Sequence, residues 1–150
     1  MKPMVSKRDA AEHIRLARHR AGLTWAQIAD ELGCDKEWST AALLGGHPMT
    51  ASQATKVQEL LNVDDDVVEA LQMQPYRGPL NDDVTTDPTI YRFHEALTVY
   101  GPAIKELIHE EFGDGIMSAI NFQLNIQRRQ DPDGDRVVVT FDGKFLDYKW

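Results

Sequence analysis

From Ser6 to Gln72, apolar and small residues recur every three or four positions, the spacing of helices that bury one face. Ser6 with Asp9 makes a capping pattern, Ala10, Ile14, Ala17 and Ala21 follow along one stripe, and Gly22 supplies a C-terminal stop. The same grammar predicts helices over Trp25 to Leu32, Lys36 to Leu44, Ala51 to Leu61 and Asp65 to Gln72, divided by Gly33-Cys34, Gly45-Gly46 and Asn62. The expectation is a bundle of five short helices. Within it, "LTWAQIADELGCDKEWSTAALLGG", Leu23 to Gly46, has the layout of a helix-turn-helix, the motif that places its second helix in a DNA groove.

Periodicity then lapses. "QPYRGPLNDDVTTDP", Gln74 to Pro88, carries three prolines and a glycine, so the boundaries are drawn as a helical domain at 1–74, a linker at 75–88 and a second domain at 89–150. The second domain opens with Asp87 as cap and Pro88 in the first turn, and Ile90, Phe93, Leu97 and Tyr100 share a face. Gly101-Pro102 is expected to break that helix, and a further one runs from Pro102 to about Phe112 before the turn "GDG". From Ile116 the period becomes two, with Ile116, Ser118, Ile120, Phe122, Leu124 and Ile126 on one side of a strand. After "DPDG", two more strands are expected, Arg136 to Phe141 and Lys144 to Trp150, joined by Asp142-Gly143 as a hairpin turn. The class is α+β, a five-helix bundle followed by a small helix-and-strand domain. Two helices and three strands make too thin a unit to bury much apolar area alone, so another subunit is expected against it.

Charge changes the picture of the first domain. The chain carries formal charge −8 with a pI near 5.0; residues 1–75 hold 8 Lys/Arg against 11 Asp/Glu, and the remainder 8 against 13, so neither half is basic. DNA-binding domains are ordinarily basic, because affinity comes from neutralised phosphates. The second helix of the motif, "KEWSTAALL", offers Lys36 for phosphate and no Arg, Asn or Gln for base edges. No nucleic-acid partner is expected; Arg15, Arg18 and Arg20 in the first helix leave a weakly binding regulator as the rival class. The single Cys34 can form no internal disulfide, no apolar run approaches the roughly 18 residues of a membrane span, and "MKPMVSKRDAAEHIRLARHR" lacks a signal-peptide core. The expectation is a cytoplasmic protein without a membrane partner.

Motif chemistry is sparse. His13, His19, His47, His94 and His109 show no ligand spacing and there is no second thiol, so no metal is expected. G-x-S-x-G, G-x-x-x-x-G-K and G-x-G-x-x-G are all missing. Two oddities remain. Ser118 stands alone as a hydroxyl on an otherwise apolar strand face, where the bland explanation is a bond to a nearby backbone carbonyl. Arg92 and Glu95 stand i, i+3 beside the apolar face of their helix, where the bland explanation is a surface ion pair.

Longer blocks enclose both. "DPTIYRFHEALTVYGPAIKELIHEEFGDGIMSAINFQL", Asp87 to Leu124, closely resembles the cyanase family, also called cyanate hydratase or cyanate lyase, as do "TAALLGG", "LQMQPYRGP" and "DGKFL" in the same order. The likeness runs from about Ile14 to the C-terminus. It implies that Arg92, Glu95 and Ser118 form the active site. It implies a reaction of cyanate with bicarbonate to carbamate and carbon dioxide, with no cofactor and bicarbonate as co-substrate. It also implies a helix-turn-helix-like bundle serving as a structural domain, and a decamer of five intertwined dimers with sites between subunits. Arg92 suits planar oxyanions and Ser118 can donate to one oxygen, while Glu95 either orients Arg92 or takes part in proton movement.

Overall fold

The computed structural model describes residues 5–75 and 86–149. The chain divides into two compact units, Met1–Tyr76 and Arg77–Trp150. Of the linker expected at 75–88, residues 76–85 lie outside the described residues, as does Trp150.

The first unit is five helices: α1 (Lys7–Ala21), α2 (Trp25–Leu32), α3 (Lys36–Leu43), α4 (Ala51–Leu61) and α5 (Asp65–Gln72). Their ends are written in cap chemistry. At α2 the Gln27 amide donates to Thr24 Oγ1 (3.0 Å) while the Thr24 amide donates to Gln27 Oε1 (2.8 Å), and Thr50 with Gln53 repeats the reciprocal pair at α4. Gly22, Gly33 and Asn62 end α1, α2 and α4 with φ of 68°, 68° and 53°, the left-handed turn that glycine and asparagine accept most readily. Ile14, Ile28, Leu43, Val57 and Leu71, one from each helix, are fully buried and form the centre of the core. Each such side chain stabilises the fold by about 1.5–3 kcal/mol relative to exposure. Lys7 ties the start of α1 to the end of α5, its Nζ donating to the carbonyls of Ala70 (2.9 Å) and Leu71 (3.3 Å); burial holds its pKa below the ordinary 10.5.

The second unit departs from expectation in two places. Pro88–Phe112 is one continuous helix, α6, rather than two. Pro102 lacks the N–H that would bond back one turn, yet the preceding Gly101 has no Cβ to clash with the proline ring, so the helical conformation survives there. The second departure is at Asp142-Gly143, which is no turn: β1 (Gly115–Arg129) and β2 (Arg136–Asp147) form a single antiparallel hairpin, and Gly143 lies inside β2 opposite Phe122. The connection is the "DPDG" segment, where the Gly134 amide donates to the Asp131 carbonyl and Gly134 takes φ 122°. Three expected strands are therefore two long ones.

α6 has no buried residue, and Leu97, Val99, Tyr100 and Leu107 are each more than half exposed; in the hairpin Val137 and Phe141 are likewise exposed. Phe112 stacks on Phe145 and Phe122 packs against Phe141, but these ring pairs enclose no core.

Candidate active site

Asp87 starts the helix that presents two of the three residues. Its carboxylate accepts from the amides of Thr89 (2.9 Å) and Ile90 (3.1 Å), satisfying two of the donors that every helix leaves open at its N-terminus. One turn further on, Arg92 Nη1 lies 3.1 Å from Glu95 Oε2, with both side chains more than half exposed. Among the described residues a single guanidinium nitrogen is hydrogen-bonded. The other donors of the fork remain available to a planar anion, and the carboxylate limits where the fork can point. The Arg92 guanidinium also lies 6.0 Å from the centre of the Tyr91 ring, whose own neighbour is His94.

Ser118 is on β1, and the strand is irregular there. Met117 pairs with Phe145 and Phe122 with Gly143, so Ser118, Ala119, Ile120 and Asn121 all stand against Lys144. The extra residues interrupt the ladder as a large, special bulge. Ile120 at its crest is 97% exposed, whereas Ser118 at its foot is 6% exposed. The alternation of apolar residues through this stretch suggests an unbroken strand, which the bulge contradicts. Nor, among the described residues, does the hydroxyl bond to a carbonyl, as the bland explanation had it: Ser118 Oγ accepts from the amides of Ile120 (3.1 Å) and Asn121 (2.9 Å). A serine oxygen has two lone pairs and one proton. Both acceptor positions are taken, so the hydroxyl is left as a donor.

The structure thus brings Arg92 and Glu95 together; among the described residues, the hydrogen bonds of Ser118 stay within its own bulge. Two neighbours of Ser118 escape a reading of motifs: Asn121, through its amide, and Gly143, which lies across from the bulge. The signal for Gly143 is a glycine inside an alternating strand, a common mark of close backbone approach. Among the described residues no three His, Cys, Asp or Glu side chains gather as metal ligands, and no helix is long and apolar enough to cross a membrane. A surface groove of about 400 Å³ between α2 and α4, lined by Glu31, Gln53 and Lys56 among others, contains none of the three residues.

Comparison with known proteins decides the family. The model for the N-terminal domain of cyanate hydratase matches residues 7–75, and that for the cyanate lyase C-terminal domain matches residues 82–150. The chain belongs to the cyanate hydratase family. Cyanate hydratase of Mycolicibacterium vanbaalenii is 55% identical over 146 residues, covering 97% of this chain and 95% of that one. Cyanate hydratase of Thiobacillus denitrificans is 54% identical over 133 residues, covering 89% and 90%. The crystal structure of cyanase from T. urticae superposes with a TM-score of 0.79 at 36% identity, over 91% of this chain and 96% of that one. A helical unit followed by a helix-and-hairpin unit is therefore the architecture shared with a cyanate hydratase family member.

Proposed function

We propose that this chain decomposes cyanate, with bicarbonate as the attacking co-substrate. A bicarbonate oxygen bonds to the electrophilic carbon of cyanate; its bond to the former bicarbonate carbon then breaks, releasing carbon dioxide and leaving carbamate. One proton is consumed in this step. Carbamate takes up another and falls apart to ammonia and a second carbon dioxide. The reaction requires no protein nucleophile, metal or redox group, and its difficulty is to hold two anions against their mutual repulsion. Positioning and charge compensation supply the acceleration.

The observation that carries this reading is the complementary pair of donors in a cyanate hydratase family chain: a carboxylate-held guanidinium at Arg92 and a buried hydroxyl at Ser118 left with only its proton to offer. Arg92 grips a planar oxyanion, Ser118 donates to an anionic oxygen or nitrogen, and Glu95 fixes Arg92 or relays a proton. The first unit then serves as a structural domain of helix-turn-helix type and the enzyme works in the cytoplasm without a cofactor. The second unit assembles with copies of itself, as five dimers in a decamer with sites between subunits. The absence of a buried residue in α6 and the exposed Leu97, Tyr100 and Leu107 support assembly. The deciding experiment is ammonia release from cyanate with and without added bicarbonate. Release that requires bicarbonate is expected; full release in carbonate-free buffer would overturn the mechanism, and no release in either would overturn the activity.

A further inference from the structure

A four-residue bulge in a two-stranded hairpin needs something to hold its shape, and Gly143, whose added Cβ would meet the Ser118 carbonyl, lies beneath it. Its φ is not in the left-handed region, so turn geometry does not explain the glycine. Its surroundings do. A Cβ at 143 would collide with the carbonyl oxygen of Ser118, its nearest neighbour, and would lie 2.5 Å from Met117 Cγ and 3.2 Å from Met117 Sδ. Ordinary contacts between carbon atoms are about 3.5–4.0 Å. The Met117 side chain can rotate away. The Ser118 carbonyl cannot, because it moves only with the backbone that carries the hydroxyl.

We infer that Gly143 is a positioning residue for Ser118: with no side chain at 143, the bulge Ser118–Asn121 seats directly on β2. The amides of Ile120 and Asn121 then pin Ser118 Oγ, so that its proton is aimed outward as a donor. The inference rests on the role proposed for Ser118. A methyl group at 143 lifts the bulge by roughly an ångström, and a displacement of that size costs on the order of 10²-fold in a positioned reaction.

The test is a cycle of four proteins, wild type, Ser118→Ala, Gly143→Ala and the double variant. Each is assayed for kcat and KM on cyanate with bicarbonate, after native mass and circular dichroism have matched their assembly and helix content. Gly143→Ala is expected to lose roughly 10²-fold in kcat. The double variant should fall no further than Ser118→Ala alone, since a residue acting through the hydroxyl has nothing left to position once that hydroxyl is gone. A wild-type kcat in Gly143→Ala, or losses that multiply in the double variant, would overturn the inference while leaving the proposed activity standing. Ser118→Ala with wild-type kcat would remove the role of Ser118 and this inference with it. Amide hydrogen exchange over residues 118–123 gives a readout independent of cyanate turnover. Protection in the wild type that is lost in Gly143→Ala supports the seating, and equal exchange in the two overturns it. Should Gly143→Ala fail to assemble, Gly143→Ala combined with Met117→Ala carries the test, because it clears the Met117 Cγ and Sδ contacts and leaves the Ser118 carbonyl as the obstacle. A kcat loss and faster exchange at Ile120 and Asn121 relative to Met117→Ala alone support the seating, and equality with Met117→Ala overturns it.

Discussion

Arg92 Nη1 lies 3.1 Å from Glu95 Oε2 across one turn of α6, and both partners face solvent within the single chain, 66% and 56% exposed. An exposed i, i+3 pair contributes only about 0.2–0.5 kcal/mol to a helix. Arg92→Lys keeps the charge and loses the fork, so the thermal midpoint should stay within a degree or two while kcat/KM falls about 10²-fold. Calorimetry beside an ammonia-release assay separates the two effects. A Lys variant with near-native turnover would reduce the pair to a surface contact.

The visibility of this site in the sequence was uneven for physical reasons. Thr24, Gln27, Thr50, Gln53, Gly22 and Asn62 act within one helical turn, so α1 to α5 could be placed almost to the residue from local spacing. Arg92 and Glu95 are likewise neighbours by spacing alone. Gly101-Pro102 misled because the glycine that announces a break also relieves the clash a proline imposes on the residue before it. Asp142-Gly143 misled because the demand for glycine comes from Ser118, on the other strand, far away along the chain. The bulge at Ser118–Asn121 stayed hidden since its apolar residues continue the strand alternation, and only the register with Phe145 and Gly143 reveals it.

Ser39 provides a test of the first unit by itself. It is fully buried on α3 and its Oγ has no hydrogen-bond partner among the described residues. An unpaired buried hydroxyl costs about 1–3 kcal/mol, and removing one oxygen leaves only a small void. Ser39→Ala should therefore stabilise the chain by about 1 kcal/mol. Urea unfolding followed by the fluorescence of Trp25 and Trp38 would register it as a higher midpoint at unchanged slope. A lower midpoint would mean that the hydroxyl has a partner in solution.

Lys7 predicts a pH dependence. Its folded pKa is below 10.5 because burial disfavours the ammonium, so the unfolded chain holds the proton more tightly. Stability rises with pH wherever the unfolded state binds more protons. The penalty for burying the charge is thus fully present below the folded pKa and fades as pH climbs toward 10.5. Wild type should gain stability relative to Lys7→Met across that alkaline window, and the comparison cancels groups common to both. A difference between the two that stays constant or narrows would contradict the assignment.

Chelation should leave turnover unchanged. The proposed chemistry draws its charge compensation from Arg92 and Ser118, and among the described residues no three ligand-type side chains converge. Extended dialysis against EDTA followed by assay is expected to give the untreated rate. Activity lost on dialysis and restored by one divalent ion would overturn the cofactor-free mechanism.

The remaining prediction concerns where the site is assembled. Among the described residues of a single chain, Arg92 and Glu95 are paired on α6 while the hydrogen bonds of Ser118 stay within its own bulge on β1. The substrates bring two negative charges into a chain whose own net charge is −8, so one guanidinium and one hydroxyl compensate them poorly. A symmetry axis between second units would remedy this by adding a second Arg92 and a second Ser118, and would also cover exposed apolar side chains such as Leu97 and Tyr100. If sites are shared in this way, Arg92→Ala and Ser118→Ala chains are each inactive alone but complement one another, because some interfaces of a mixed oligomer collect an intact arginine from one chain and an intact serine from another. Refolding the two variants together should restore a fraction of wild-type ammonia release, with native mass confirming mixed species. Mixed oligomers that remain inactive would count against shared sites, and a monomer with full activity would rule them out.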